Sequence, residues 1–169
     1  MDEEGRRPVR FLELLRALVE GGVDFVVVGG VAAVLEGAPV STFDLDVVYS
    51  SEEANVARLA EVLATLDAVY VDPAGRRLSP TEERLRGGGH HLLRTRFGRL
   101  DVLGSISDGL GFADLVPESR RRSIQGLAVS VLRLEAVIAS KEATGRAKDL
   151  AVLPMLRNTL AELGDRDDN

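Results

Sequence analysis

The stretch over residues 25–50, FVVVGGVAAVLEGAPVSTFDLDVVYS, constrains the fold more than any other part of the chain. Its hydrophobic pattern predicts a buried strand at 24–28, a short helix at 30–36 and a second strand at 44–49. The pair Gly29-Gly30 lies where the first strand passes into the helix. Glycines at such a junction let backbone amides approach a phosphate group closely.

Two aspartates open the second strand. Asp44 and Asp46 are spaced i, i+2, so on a strand both carboxylates point to the same face. Carboxylates that share a face repel each other, and a divalent cation is a natural compensating partner. Hard oxygen ligands of this kind suit a magnesium ion that carries a nucleoside triphosphate. On this pair alone, an interpretation as loop or capping residues is equally good.

Asp101 strengthens the metal interpretation. It stands in the apolar stretch GRLDVLG, where a strand normally carries a hydrophobic residue. A third carboxylate from a neighbouring strand would complete a two-metal site for in-line attack on phosphorus, with Asp101 itself able to act as a base. We expect Mg²⁺, and Mn²⁺ would also fit. The alternative is an aspartate on an edge strand in solvent.

Composition narrows the class of protein. The chain has 169 residues, 45% hydrophobic and 28% charged, which fits one domain or one domain with a small helical appendage. The lack of cysteine excludes disulfides and thiolate sites. We find no signal region and no apolar run of membrane-spanning length, so we expect a cytoplasmic protein without membrane contact. GGVAAVLEG lacks the G-x-G-x-x-G spacing, which excludes a dinucleotide-binding turn.

The remaining elements follow from periodicity and turn residues. We predict helices at 8–20 and 52–67, the first opened by Pro8 and the second capped by Ser50 or Ser51. Further on we predict a strand at 68–71, a loop at 73–89 with a helical turn at 81–85, a hairpin at 90–96 and 99–103, a short helix at 108–116, a strand at 128–132, helices at 135–144 and 146–163, and a frayed end at 165–169. One of His90 and His91 should face solvent. This order predicts an α+β fold with a mixed sheet, flanking helices and a C-terminal helical part.

Gly29-Gly30, the D-L-D motif at 44–46 and Asp101 together resemble the nucleotidyltransferase superfamily with its polymerase-beta-type palm. The C-terminal segment KEATGRAKDLAVLPML is similar to the K…R-x-K-D-L signature of AbiEii-type nucleotidyltransferase toxins and related uncharacterised bacterial proteins. The resemblance spans residues 10–160. It implies a palm-like core over 1–132 and a helical segment over 133–169 that packs on the core as one compact unit.

The resemblance also implies roles for individual residues. The implied catalytic residues are Asp44, Asp46, Asp101, Lys141 and Asp149; the first three would bind the metal, and Gly29, Gly30, Thr42, Lys141 and Arg146 would bind the nucleotide. Lys141 would neutralise triphosphate charge, and Asp149 would orient Lys141 or the acceptor. Without the resemblance, Lys141 and Asp149 need not share a helix face across Gly145, and both could equally be solvated surface charges.

Two classes of function follow. The first is an enzyme that moves a nucleoside monophosphate from an NTP to a hydroxyl group. The acceptor would be a tRNA 3′ end, a protein or a small molecule such as an antibiotic. The resemblance further implies that such an enzyme could be the toxin of a toxin–antitoxin pair, with a cognate antitoxin as partner. The second is a non-catalytic nucleotide-binding antitoxin or sensor. The net charge of −6 gives no general attraction to nucleic acid, yet the arginines at 76–86 and Arg94, Arg96 and Arg99 would suit an RNA backbone. Ordinary solvated arginines are the alternative.

Overall fold

The computed structural model describes residues 9–167, so Pro8 and the last two residues of the expected frayed end lie outside the described part. The helices are α1 (Phe11–Glu20), α2 (Gly29–Leu35), α3 (Glu53–Thr65), α4 (Glu82–Arg86), α5 (Phe112–Leu115), α6 (Leu134–Thr144) and α7 (Ala147–Asp167). The strands are β1 (Phe25–Val28), β2 (Asp44–Tyr49), β3 (Val69–Tyr70), β4 (His90–Thr95), β5 (Gly98–Leu103), β6 (Ser105–Ile106), β7 (Leu110–Gly111), β8 (Ser119–Ile124) and β9 (Leu127–Leu132).

Seven strands of the described chain form one mixed sheet, in the order β3-β4-β5-β2-β1-β9-β8. Strand β2 runs antiparallel to β1 and parallel to β5, and β1 runs parallel to β9. The outer pairs, β3 with β4, β4 with β5 and β8 with β9, are antiparallel. The mixed sheet and its helices confirm the α+β fold class.

The core forms around the central strands. All four residues of β1 are buried, as expected of a strand covered on both faces, and the apolar stripe of α1 buries Leu14, Leu15 and Leu18. Each such leucine side chain contributes roughly 1.5–3 kcal/mol of hydrophobic stabilisation. Helix α2 packs against β1 and β2, and α6 packs against both α2 and α7. Helix α2 thus lies between the β1–β2 pair and α6, and α7 packs on α6.

Strand β4 alternates between a buried and an exposed face. His91, Leu93 and Thr95 are buried, whereas His90, Leu92 and Arg94 are exposed. The expectation that one histidine of the pair faces solvent is confirmed by His90. The buried His91 accepts a hydrogen bond from the Tyr70 hydroxyl at 2.7 Å and donates one to the Gly88 carbonyl at 2.8 Å. These bonds tie the loop before β4 to the sheet.

Several sequence predictions were wrong in detail. Strand β8 was not predicted, and the helix expected at 108–116 is replaced by β7 and the single turn α5. Helix α3 is capped at Glu52 without a side-chain hydrogen bond, so neither Ser50 nor Ser51 is its N-cap. By contrast, the helical turn predicted at 81–85 within the loop is confirmed by α4, whose N-cap Thr81 accepts the Arg84 amide. Helix α7 continues to Asp167, past its predicted end at 163 and into the stretch expected to be frayed.

Helix α6 begins at Leu134, directly after β9 ends at Leu132, and the division into a core and a helical segment at this point stays a prediction.

Over the described residues, none of the helices combines the length and the apolarity that crossing a lipid bilayer requires.

Candidate active site

Three carboxylates meet on the adjacent strands β2 and β5. The parallel register pairs Asp44 with Arg99 and Asp46 with Asp101, which places these side chains on one face of the sheet. One carboxylate oxygen each from Asp44, Asp46 and Asp101 lies within 4.8 Å of the other two. The structure therefore brings together the three residues that the sequence predicted as metal ligands.

Burial and mutual repulsion make this cluster costly to ionise. Burial, followed by the charges of Asp44 and Asp101, raises the pKa of Asp46 from 3.8 to about 8. Burial and the neighbouring Asp44 likewise raise the pKa of Asp101 from 3.8 to about 6, although the Arg99 guanidinium opposes that rise. Without a cation, the folded protein therefore holds protons that the unfolded chain would release near neutral pH.

The donor set fits a divalent cation of the magnesium class. All three side chains offer hard carboxylate oxygens, close enough together to share one ion or a pair of ions. Mn²⁺ accepts the same oxygen ligands. A bound cation would stabilise the ionised forms of Asp46 and Asp101, whose pKa values are raised by burial and by the neighbouring carboxylates.

The glycine pair stands directly beside these carboxylates. Val28, the last residue of β1, pairs with Asp46, so the chain enters α2 next to the cluster. Gly29 has a φ of +66°, and a Cβ on it would collide with the Asp46 carboxylate. A Cβ on Gly30 would come within 2.7 Å of the Thr42 hydroxyl oxygen. Both positions therefore need glycine because of their neighbours in the site, and Gly29 needs it for its backbone conformation as well.

Thr42 ties the loop after α2 to the first aspartate. Its hydroxyl donates a hydrogen bond to the backbone carbonyl of Asp44 at 3.1 Å. The threonine is half-buried, with its side chain against Gly30. Gly30, Thr42 and Asp44 thus form a continuous set of contacts at the edge of the carboxylate cluster.

Lys141 and Asp149 meet across the break between α6 and α7. Lys141 Nζ donates to Asp149 Oδ1 at 3.3 Å, while Thr144 Oγ1 and Arg146 Nε donate to Oδ2 at 3.0 and 2.7 Å. Burial alone would raise the pKa of Asp149, but hydrogen bonds from Arg146, Thr144 and Lys141 outweigh it and lower that pKa. Gly145, at φ +62°, makes the turn that allows this contact.

Lys141 also acts on the carboxylate cluster. Its positive charge lowers the pKa of Asp46, partly offsetting the effect of burial. The α6–α7 corner thus carries a cation whose charge acts on Asp46 and which is hydrogen-bonded to the buried Asp149. The guanidinium of Arg146 remains largely exposed, with 73% of its side chain accessible.

Arg99 is a site residue that sequence reasoning did not assign. It lies on β5 two residues before Asp101, and its Nη2 donates to Asp101 Oδ1 at 3.3 Å. Its Nε atom is buried without a hydrogen-bond partner. The sequence could have indicated this position, because Arg99 and Asp101 are residues i and i+2 of one strand and therefore share a face. In the sequence, Arg99 stood out only as one of the hairpin arginines that would suit an RNA backbone.

Most of the other clustered arginines have structural partners. Arg76 pairs with Asp72, Arg86 pairs with Glu53 and Glu82, and Arg96 lies over the ring of Phe97. At the opposite edge of the sheet, Arg120 and Arg122 contact the fully buried carboxylate of Glu36 at 3.1 and 2.6 Å. The arginine-rich sequence is therefore explained largely by local ion pairs, with Arg99 placed at the carboxylate cluster.

No protein-family model matches the chain, and no curated protein sequence matches it. Solved structures do. A nucleotidyltransferase candidate from Thermotoga maritima aligns over 93% of this chain and 98% of its own, with a TM-score of 0.56 and 19% identity. The chain has the nucleotidyltransferase fold.

Two antibiotic-modifying proteins share this fold. Lincosamide antibiotic adenylyltransferase LnuA, solved with lincomycin, aligns over 88% of this chain and 95% of its own, with a TM-score of 0.58 and 11% identity. ANT(2″)-Ia, solved with adenylyl-2″-tobramycin, aligns over 89% of this chain and 87% of its own, with a TM-score of 0.56 and 15% identity. At these identities the likeness concerns the fold, and the special closeness to AbiEii-type toxins stays a prediction.

Proposed function

We propose that this protein is a magnesium-dependent nucleotidyltransferase that moves a nucleoside monophosphate from an NTP to a hydroxyl group. One observation carries the proposal. Asp44, Asp46 and Asp101 place carboxylate oxygens within 4.8 Å of one another, on adjacent strands of a nucleotidyltransferase fold. Three carboxylates so close together are costly in a folded protein unless a cation binds them.

The carboxylates divide the chemistry between them. Asp44 and Asp46 would hold the metal, with Asp101 as the third ligand. When bound, Mg²⁺ (or Mn²⁺) would polarise the α-phosphate and screen the negative charge of the triphosphate. The acceptor oxygen attacks the α-phosphorus, a new P–O bond forms, and the bond to the bridging oxygen breaks as pyrophosphate leaves. Asp101, on the strand beside Asp46, would accept the hydroxyl proton.

The groups around the carboxylates would position the nucleotide. Gly29 and Gly30 would contact the triphosphate through their backbone amides, beside Thr42. Lys141 would neutralise charge on the triphosphate, and its hydrogen bond to Asp149 would hold the ammonium in place. The largely exposed guanidinium of Arg146 would extend this cationic wall.

The acceptor is a hydroxyl compound, for which a tRNA 3′ end, a protein side chain and a small molecule are the candidates. LnuA and ANT(2″)-Ia bear names that point to small antibiotic acceptors. The K…R-x-K-D-L segment supports instead a toxin of a toxin–antitoxin pair, with a cognate antitoxin as partner. Growth of a bacterial host that expresses the wild type, compared with the Asp46→Asn variant, tests the toxin role.

Activity is tested by incubating the protein with each α-labelled NTP, Mg²⁺ and a panel of acceptors. The panel holds total RNA, a protein extract, a lincosamide and an aminoglycoside. The matched variants are Asp46→Asn, which keeps the shape of the carboxylate, and Asp108→Asn, at an exposed position outside the cluster. We expect label transfer by the wild type and by Asp108→Asn, and a loss of at least about a hundredfold in Asp46→Asn.

Transfer that survives Asp46→Asn would refute the assignment of the cluster as the catalytic centre. Tight NTP binding by the wild type, with no label on RNA, protein, antibiotic or the enzyme itself, would support the non-catalytic sensor or antitoxin instead. Omitting Mg²⁺, with and without added Mn²⁺, tests the metal requirement in the same assay.

A further inference from the structure

Helix α7 is apolar on two opposite faces, although the described chain covers only one of them. The covered face buries Leu153 and Leu156 and brings Leu160 and Leu163 into partial contact with the core. Over residues 147–161 the opposite face carries six exposed apolar residues at helical spacing, interrupted only by Asn158. We call this surface the outer stripe, and it consists of Ala147, Leu150, Ala151, Pro154, Met155 and Ala161.

An outer face of this kind is unusual for a surface helix, which normally presents polar and charged residues to solvent. On the outer stripe, Leu150 is 48% exposed and Met155 is 43% exposed. Within the described chain α7 packs mainly on α6, which lies on its covered side. A helix that is apolar all round is typical of a helix that is buried all round. The outer stripe therefore indicates a surface that another polypeptide covers.

The exposed charges of α7 have opposite signs at its two ends. At the beginning Lys148 is exposed, whereas Asp149 of the same turn is buried in its own ion pairs. Toward the end of the described helix there are three exposed acids and one cation: Glu162, Asp165, Asp167 and Arg166. This order opposes the helix macrodipole, which favours acids at the beginning of a helix and cations at its end. An antiparallel neighbour with the same charges would compensate both ends.

A second copy of α7 is such a neighbour. A two-fold axis near Met155 would set the outer stripe against itself and bring Lys148 close to the partner subunit's Glu162. Lys148 and Glu162 lie at equal distances along the chain before and after Met155, and their separation is close to four helical turns, so all three share one side of the helix. Within the described part of the chain, neither Lys148 nor Glu162 has an ion-pair partner. The symmetry would form the contact twice.

We propose that the protein forms a two-fold symmetric dimer in which the outer stripes of two antiparallel α7 helices pack together. A parallel arrangement would set lysine against lysine and acids against acids, so charge favours the antiparallel one. The outer stripe is about 21 Å long at about 1.5 Å per residue, which is small for a permanent interface. We therefore expect a reversible dimer with a dissociation constant in the micromolar range. This inference is independent of the proposed function, because no residue of the outer stripe is assigned to the nucleotide or the metal.

The test is sedimentation velocity of the full chain over a range of micromolar concentrations, in Mg²⁺ and without NTP. Met155→Glu would place two carboxylates at the two-fold axis and should raise the dissociation constant of the dimer at least about tenfold. The control is Leu110→Glu, since Leu110 is also 43% exposed but lies on β7. Leu110→Glu should dimerise like the wild type.

Charge reversal tests the antiparallel register. Lys148→Glu and Glu162→Lys should each weaken the dimer several-fold, because each variant sets like charges against each other at two places. An equal mixture of the two variants should restore dimerisation, since both contacts of the mixed dimer again join opposite charges. Thermal melts of all the variants check that they are folded.

The inference is overturned if the wild type stays monomeric at every concentration, an outcome that would leave the outer stripe to a different protein. Equal dimerisation of Met155→Glu and Leu110→Glu would also overturn it, because the interface would then lie elsewhere. The same holds if both charge reversals weaken the dimer and their mixture does not restore it. Asp46-dependent label transfer is measured on the same samples, so this inference can fail while the proposed function stands.

Discussion

Replacing Asp46 by asparagine should stabilise the metal-free protein, and the gain should grow with pH. The pKa of Asp46 is about 8 in the folded protein, against 3.8 for an unperturbed aspartate. Between these values the folded state holds one proton that the unfolded state has released, so the free energy of unfolding falls as pH rises. The loss of stability begins near the pKa of Asp46 in the unfolded chain and levels off above its pKa in the folded protein.

The magnitude follows from linkage. One retained proton lowers the free energy of unfolding by about 1.4 kcal/mol for each pH unit, or about 3 kcal/mol between pH 5 and pH 7. Asp101, with a pKa of about 6, adds to the loss at the lower end of this range. The Asp46→Asn variant has no such proton at this position, so its stability should fall less steeply across the interval.

The assay is urea unfolding in the presence of a chelator at several pH values from 5 to 8. Asp108→Asn is the control, since it removes an exposed carboxylate outside the cluster. Saturating Mg²⁺ should recover stability in the wild type more than in Asp46→Asn, because a ligand that binds only the folded state stabilises it. Equal pH slopes for the wild type and Asp46→Asn would refute the argument that burial and repulsion keep this carboxylate protonated.

Three further substitutions test neighbouring contacts. Gly29→Ala should weaken Mg²⁺ binding in a calorimetric titration, because the added methyl group would displace the Asp46 carboxylate. Gly75 is the control, since it has a similar φ of +71° but open space around it. Gly75→Ala should cost only the backbone strain of about 1–2 kcal/mol and leave Mg²⁺ binding intact. Asp149→Asn should raise KM for the NTP several-fold by releasing the lysine that it holds, whereas Glu142→Gln, which breaks an exposed ion pair, should not. Glu36→Ala should lower the free energy of unfolding by about 1.5–3 kcal/mol in urea, since it removes the charged hydrogen-bond acceptor of Arg122 and the ion-pair partner of Arg120. A loss below about 1 kcal/mol would contradict that reasoning.

The sequence predicted the centre of the molecule well because its signals are local. The strand–glycine–helix–strand order of residues 25–50 is a matter of hydrophobic periodicity and turn residues, and the spacing of Asp44 and Asp46 fixes their common face. The closeness of Asp101 to Asp46 depends on the parallel pairing of β2 with β5, which joins distant parts of the chain. Periodicity carries no information on such pairing.

Strand β8, SRRRSI, shows why other parts escaped prediction. Arg120 and Arg122 alternate toward one face as strand residues should, but their buried partner is the carboxylate of Glu36 rather than an apolar surface. A search for alternating hydrophobic residues cannot find such a strand. The sequence did offer the pair Gln125-Gly126, because a glycine at this place is typical of a two-residue hairpin turn. In the structure both residues have positive φ values, +47° and +82°. The contact of Lys141 with Asp149 likewise depends on the turn at Gly145, which helical spacing alone does not determine.

The pairing of the strands sets the order in which the site can be completed. Val28 pairs with Asp46 within the β1–α2–β2 unit, so the glycine turn and two carboxylates can assemble from a short stretch of chain. Asp101 joins only when β5 docks on β2, and this closes a much longer loop at a greater cost in entropy. A partly folded chain therefore offers a cation two of the three ligands at most. A cation bound by all three carboxylates would favour the completed sheet over such incomplete forms, and it would thereby link folding to the formation of the site.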